Sequence, residues 1–368
     1  MDQTNDERQL LDRVREIADQ FAVQAADYDE RAEIPVAGLD ELHAAGVMQA
    51  ILPEYLGGGG LSYRAFGELV CIVAAADPSL ATILVMHAGA GVGLAEMTHD
   101  SLGGFFAGEF LAGKRFAVAL SEPASGNRFL NPQQEAAPTE GGWLLDGAKR
   151  FVSASEVADY LLVNALVEQV PAFFGIVPDE TVSIVSIWDT LGLRATRSQL
   201  LAFNKTLLPE THRGRASRPG DFAVIPAGLP GISLGVADAA LAALVDHATS
   251  RIILGKPLSH QQWVQYGTAD VQTRLAAAHA LYQQALSQAD NGEPTYFGNL
   301  CRAKYLANKV AVDVAQLGLR VGGASGFLKS SPIQRHLRDA EAGQLMAYST
   351  EVLAGMIGKE VLHVTDGE

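Results

Sequence analysis

The sequence predicts an α+β protein in three successive parts: a helical N-terminal domain, a middle β-barrel or sandwich domain, and a C-terminal four-helix bundle. Three observations carry this. Apolar residues recur at three- and four-residue spacing up to about Leu111. From Lys114 to Pro209 the period shortens towards two, with β-branched and aromatic residues and frequent turn signals. From Leu229 onward, long Ala- and Leu-rich helical segments return. The divisions that follow are residues 1–113, 114–214 and 215–368.

In the first part, Leu10, Val14, Ile17 and Phe21 line one helical face. A second helix, Val36 to Ala45, ends at Gly46, and the glycines from 57 to 60 cannot continue a helix and read as a structural turn. That run lacks the lysine and serine a phosphate-cradling loop requires. Helical patterns resume over Ser62–Ala76 and Ser79–Met97. In the second part the candidate strands are Arg115–Ala119, Trp143–Ala148, Tyr160–Ala165, Ala172–Val177, Val182–Ile187 and Leu200–Asn204, and Thr211–Asp221 reads as a linker. The bundle helices are expected at Leu229–Leu254, Ser259–Ala289, Tyr296–Val321 and Leu337–Leu362.

Composition narrows the function classes. Hydrophobic residues make up 48% of the 368, ample for a large core, and charged residues only 19%, too few for a disordered chain. A net charge of −15 argues against nucleic acid and against anionic membrane surfaces as partners. Cys71 and Cys301 show no metal or disulfide spacing, so no metal site is expected. No signal peptide and no apolar run near the ~20 residues of a membrane span stand out, so a cytoplasmic location is expected.

Five motifs then occur in a fixed order. They are Ala119-Leu120-Ser121-Glu122-Pro123-Ala124-Ser125-Gly126-Asn127; Asp146-Gly147-Ala148-Lys149-Arg150-Phe151-Val152-Ser153; and Leu191-Gly192-Leu193-Arg194. Arg251-Ile252-Ile253-Leu254-Gly255-Lys256-Pro257 with Gln262, and Gly322-Gly323 followed by Leu337-Arg338-Asp339-Ala340, complete the set. Together they resemble the acyl-CoA dehydrogenase superfamily over nearly the whole chain. The resemblance implies a flavin, FAD with FMN as the alternative, between the β domain and the bundle. By family position Leu120 and Ser121 meet the ring edge, Gly126 and Asn127 the pyrophosphate, and Phe151 and Ser153 the reactive ring atoms. Arg251, Leu254 and Gln262 would reach the cofactor of a neighbouring subunit, implying a homodimer or homotetramer.

The sequence departs from that family where the catalytic base belongs. The glutamate position after the Arg338-Asp339-Ala340 motif holds Ala347, followed by Tyr348, and the alternative base position holds Ile225, followed by Pro226. The departures resemble the flavin-dependent monooxygenase branch, typified by dibenzothiophene monooxygenase and indole hydroxylases. That likeness implies a small hydrophobic, aromatic or heteroaromatic substrate, O₂, and reduced flavin supplied by an NAD(P)H-dependent reductase. A pocket lined by Ala347 and Tyr348 suits such chemistry, which needs no base above the ring but needs water excluded. His87, Ser121 and Ser153 are the candidate catalytic residues, whereas His247, His260 and His279 read as structural. Two readings stay open beside it. One is an acyl-CoA or acyl-carrier-protein dehydrogenase with a relocated base, for which Glu351, one helical turn beyond Ala347, is the nearest carboxylate. The other is a non-catalytic relative that keeps the fold.

Overall fold

The structure, a computed structural model, describes residues 4–124, 126, 129–218 and 220–364. Six helices form the first part: α1 (Asn5–Arg31), α2 (Val36–Ala44), α3 (Val47–Ile51), α4 (Tyr63–Ala76), α5 (Pro78–Leu102) and α6 (Phe105–Leu111). Their starts are set by local chemistry. Thr4 and Glu7 form a reciprocal capping box on α1. Asp77 caps α5, its Oδ1 accepting the Ser79 and Leu80 N–H groups at 2.9 and 3.1 Å, with Pro78 in the first turn where no N–H is needed.

The middle part contains β1 (Phe116–Ala119), β2 (Ala137–Thr139), β3 (Gly142–Val152), β4 (Tyr160–Val167), β5 (Val170–Ile176), β6 (Val182–Val185) and β7 (Gln199–Pro209). They make two sheets, β1-β4-β5 and β2-β3-β7-β6; β1 and β4 run parallel and every other pairing is antiparallel. Leu145, Leu161, Val163, Phe174, Leu201 and Phe203 share the core of this part. The sequence pattern misses β2, whose three residues are all exposed and give no burial period. It also stops β3 at Ala148, because irregular register between Lys149 and Val152 breaks the alternation.

The third part holds α7 (Val224–Ser250), a short hairpin of β8 (Ile252–Ile253) and β9 (Lys256–Pro257), then α8 (Gln262–Asp290), α9 (Tyr296–Gly326), α10 (Pro332–Leu345) and α11 (Thr350–Val361). α7 begins five residues before the expected Leu229, because Pro226 falls in its first turn, where a missing N–H costs nothing. The single helix expected over Leu337–Leu362 is two. α10 ends at Leu345 and α11 restarts after Ser349, whose Oγ accepts the Val352 N–H at 3.4 Å. Contrary to the expectation from the sequence, α5 and α7 are each long and apolar enough to cross a membrane. Within the protein, 89% and 67% of their most apolar windows are buried, so they serve here as core helices. One continuous apolar cluster joins the N-terminal helices to the bundle, so the space between these parts and the β domain has firm walls.

Candidate active site

A cavity of about 1160 Å³ lies where the β domain, α5 and the bundle meet. It gathers Leu120, Ser121 and Gly126 from the segment after β1, Phe151 and Ser153 from β3 and the residues after it, and Ala347 and Tyr348 from the α10–α11 connection. Ile225, at the start of α7, also lines it. Asn127 falls outside the described residues. Arg251, Leu254 and Gln262 lie outside the cavity, exposed on the β8–β9 hairpin and the first turn of α8.

His87 does not fit its expected place. It is buried outside the cavity, between the rings of Phe110 and Phe116, and its Nδ1 accepts the Phe116 N–H at 3.0 Å. Burial pushes its pKa down to about 4, so it is neutral and serves as a backbone acceptor. The expectation of a catalytic histidine is therefore corrected.

The wall around Leu120 and Ser121 is held from behind by a buried ion pair. Lys149 Nζ donates to Glu122 Oε1 at 2.7 Å and to Asn164 Oδ1 at 2.9 Å, with the two charged side chains 0% and 2% exposed. Glu122 Oε2 also accepts the Gln133 N–H at 2.8 Å, and Asn164 Nδ2 donates to the Phe129 carbonyl at 2.8 Å. The first two sequence motifs thus meet through their charged residues, a pairing that spacing alone does not reveal. Desolvation lowers the Lys149 pKa and the bond to Glu122 opposes that shift.

The opposite wall is clamped in the same way by the third and fifth motifs. Asp339 Oδ1 accepts the Leu193 N–H at 2.8 Å, and Arg338 Nη1 donates to the Leu191 carbonyl at 2.7 Å while its guanidinium also pairs with Asp29. Gly192 lies against this helix so closely that a Cβ would stand 2.1 Å from the Arg338 carbonyl oxygen. Burial raises the Asp339 pKa to about 7. Its unfolded value is about 3.9, so the native state holds a proton that the unfolded chain has released across that window. This contribution is complete below pH ~4 and is lost as pH rises towards 7. In Asp339→Asn, which keeps the acceptor, the pH dependence of the unfolding free energy should flatten between about pH 4 and 7. An unchanged slope in urea titrations would show that Asp339 is ionised in the native state.

Between these walls lies a chain of hydroxyls. Thr196 Oγ1 lies 2.9 Å from the Leu193 carbonyl and 2.9 Å from Ser198 Oγ. Ser198 Oγ in turn pairs with Ser153 Oγ at 2.9 Å. Ser153 thus ends the chain at the cavity wall as a hydroxyl able to donate or accept. Beside it Phe151, at φ 60° and half exposed, carries the Arg150 guanidinium 4.7 Å above its ring and stands 6.2 Å from Trp188. Tyr348 packs 5.3 Å from Phe129 and 6.2 Å from Phe297. Aromatic walls with a few fixed hydroxyls and close-lying backbone suit a flat heteroaromatic cofactor. The volume exceeds the ~300–1,000 Å³ usual for one small ligand, leaving room for a second molecule.

Profiles of the acyl-CoA dehydrogenase N-terminal, middle and C-terminal domains match residues 4–102, 117–206 and 227–362. The chain belongs to the acyl-CoA dehydrogenase family. An acyl-CoA dehydrogenase of Bacillus subtilis is 27% identical over 382 residues, with 98% of each chain covered. Benzylmalonyl-CoA dehydrogenase of Aromatoleum aromaticum is 27% identical over 373 residues, covering 98% of this chain and 99% of that one. The structure of butyryl-CoA dehydrogenase from Megasphaera elsdenii superposes with a TM-score of 0.90 at 23% identity, covering 98% and 99% of the two chains. For this acyl-CoA dehydrogenase-family chain the cavity is notable for its acids. Neither Ala347 nor Ile225 offers a carboxylate, and Glu351 is exposed in the first turn of α11, outside the cavity. The carboxylates that line it are Asp221, paired with Arg215, and Glu341, which accepts from Gln344 Nε2 at 2.9 Å. Glu341 is a cavity residue that sequence reasoning passed over. It lies two positions past Asp339, and only the helical turn of α10 brings it inward.

Proposed function

We propose that this chain is a flavin-dependent oxidoreductase that oxygenates a hydrophobic, aromatic or heteroaromatic small molecule with reduced flavin and O₂. The observation that carries the reading is the apolar pair Ala347 and Ile225 at the two positions where a dehydrogenase of this family would hold its base. Removing a proton α to a thioester without a positioned base forfeits a factor of ~10²–10⁴. A closed apolar wall protects reactive oxygen chemistry from water.

Bound FAD would supply the redox chemistry, and the protein's part is to hold and shield it. Leu120, Ser121 and Ser153 would face the ring, Phe151 and Trp188 would wall it, and Gly126, with Asn127 beside it, would let the backbone approach a pyrophosphate. Arg251, Leu254 and Gln262, exposed away from their own cavity, would complete the site of a second copy in a homodimer or homotetramer. An NAD(P)H-dependent reductase would deliver the reduced flavin.

A second reading is favoured by Glu341 and by the dehydrogenases among the full-length relatives: an acyl-CoA dehydrogenase in which Glu341 takes the proton. Anaerobic mixing of FAD-loaded protein with butyryl-CoA and aromatic acyl-CoA esters separates the two. On the first reading the oxidised flavin spectrum persists. Rapid bleaching, lost in Glu341→Gln, would establish the second.

A further inference from the structure

A second cavity of about 450 Å³ lies beyond the first, between the 51–61 segment, α4, α5 and the start of α7. The two share the turn Gly220, Phe222 and Ala223, whose residues line both. Phe222 is buried at φ 61°, its ring 5.3 Å from Phe173, and Gly93 lies so close that a Cβ there would stand 2.6 Å from the ring. Gly89, one turn earlier, admits Ile225 in the same way, a Cβ falling 2.3 Å from its side chain. These two glycines let the start of α7 lie directly on α5, so the shared turn is a firm partition.

The lining of this second space is chemically one-sided. Glu96 from α5 lines it with Tyr55 from the 51–61 segment and Tyr63 from the start of α4, and Glu54 is an exposed member of the same lining. The described lining contains no lysine, arginine or histidine. Glu96 Oε1 accepts the Tyr55 hydroxyl at 3.1 Å, and Oε2 has no hydrogen-bond partner among the described residues. Arg215, whose charge reaches Glu96 through space, is committed elsewhere: both Nη atoms donate to Asp221 at 2.9 Å. Asp221 opposes that charge, and Glu96 has no ion-pair partner among the described residues. Burial raises the Glu96 pKa, as an unneutralised carboxylate in a half-closed space requires. A carboxylate beside two tyrosines is the acceptor set that recognises an organic ammonium, by charge-assisted hydrogen bonding and by the negative ring faces.

We propose that the second cavity is a separate binding site for an organic ammonium ion, walled off from the first by the shared turn. The site goes beyond the reading under Proposed function and holds for either reaction. The probes are 4-phenylbutylamine and 4-phenylbutanoate, which share an aromatic body and differ in the charge at one end. Their binding to FAD-loaded protein is measured by isothermal titration calorimetry. The amine should bind about tenfold more tightly or better, and Glu96→Gln should abolish that preference while leaving flavin content and melting temperature unchanged. Should the glutamine variant not fold, Glu96→Ala and Tyr55→Phe carry the same expectation, complete for the first and partial for the second. Equal binding of amine and acid by the wild type, or a preference that survives loss of the carboxylate, would overturn the proposal. Because the readout is binding, failure of the oxygenase reading leaves this result intact, and the reverse also holds.

Discussion

Lys149→Ala should destabilise the protein by about 3–5 kcal/mol, the largest single effect expected from any substitution discussed here. The ammonium it removes is wholly buried, so Glu122, itself 2% exposed, would lose its Lys149 ion pair in a site closed to solvent. Asn164 would lose a donor at the same time, and the segment carrying Leu120 and Ser121 would lose its anchor. Urea denaturation with and without FAD measures both consequences, the second as a fall in flavin occupancy. The double variant Lys149→Met/Glu122→Gln removes both charges and keeps an acceptor for the Gln133 N–H. It should recover much of the loss, because the penalty comes chiefly from removing one member of a buried ion pair. A single variant as stable as the wild type would show that the Lys149–Glu122 pair makes no net contribution to stability.

Ala347→Glu should alter the chemistry more than the fold. It places a carboxylate on the wall of the cavity that Phe151 and Ser153 also line, at the position the family resemblance assigns to a dehydrogenase's base. Anaerobic flavin reduction by butyryl-CoA is expected to rise by about 10² or more, the contribution typical of a positioned general base. Oxygenated product per flavin oxidised should fall, because a charge in an apolar wall brings water with it. If the wild type already reduces its flavin as fast as the variant, the base lies elsewhere and Glu341 becomes the group to test.

The order of helical, β and helical parts was legible because each is long and strongly periodic. The errors fall where periodicity carries no information. β2 is short and wholly exposed, and β3 continues through irregular pairing that scrambles its alternation. The break between α10 and α11 falls at Met346 to Ser349, a stretch without a glycine or proline to announce it. Of the candidate site, Leu120, Ser121, Gly126, Phe151, Ser153, Ala347 and Tyr348 do meet in one cavity, although Leu120 and Tyr348 lie at opposite ends of a long stretch of sequence. His87 misled because a histidine beside a cavity-lining residue, Met86, need not face the cavity: its neighbour on the helix points in and it points away. Glu96 and the Glu122–Lys149 pair stayed hidden because partners far apart in sequence leave no local spacing, and Glu341 because only the turn of α10 brings it to the cavity.

Whether the cavity activates oxygen or abstracts an α proton is tested most directly by chemically reduced, FAD-loaded protein reoxidised under oxygen-18 with indole and related aromatics present. Oxygenation by the proposed route should leave label in an aromatic product and little hydrogen peroxide. Stoichiometric hydrogen peroxide without labelled product, alongside rapid anaerobic flavin reduction by an acyl-CoA ester, would contradict it.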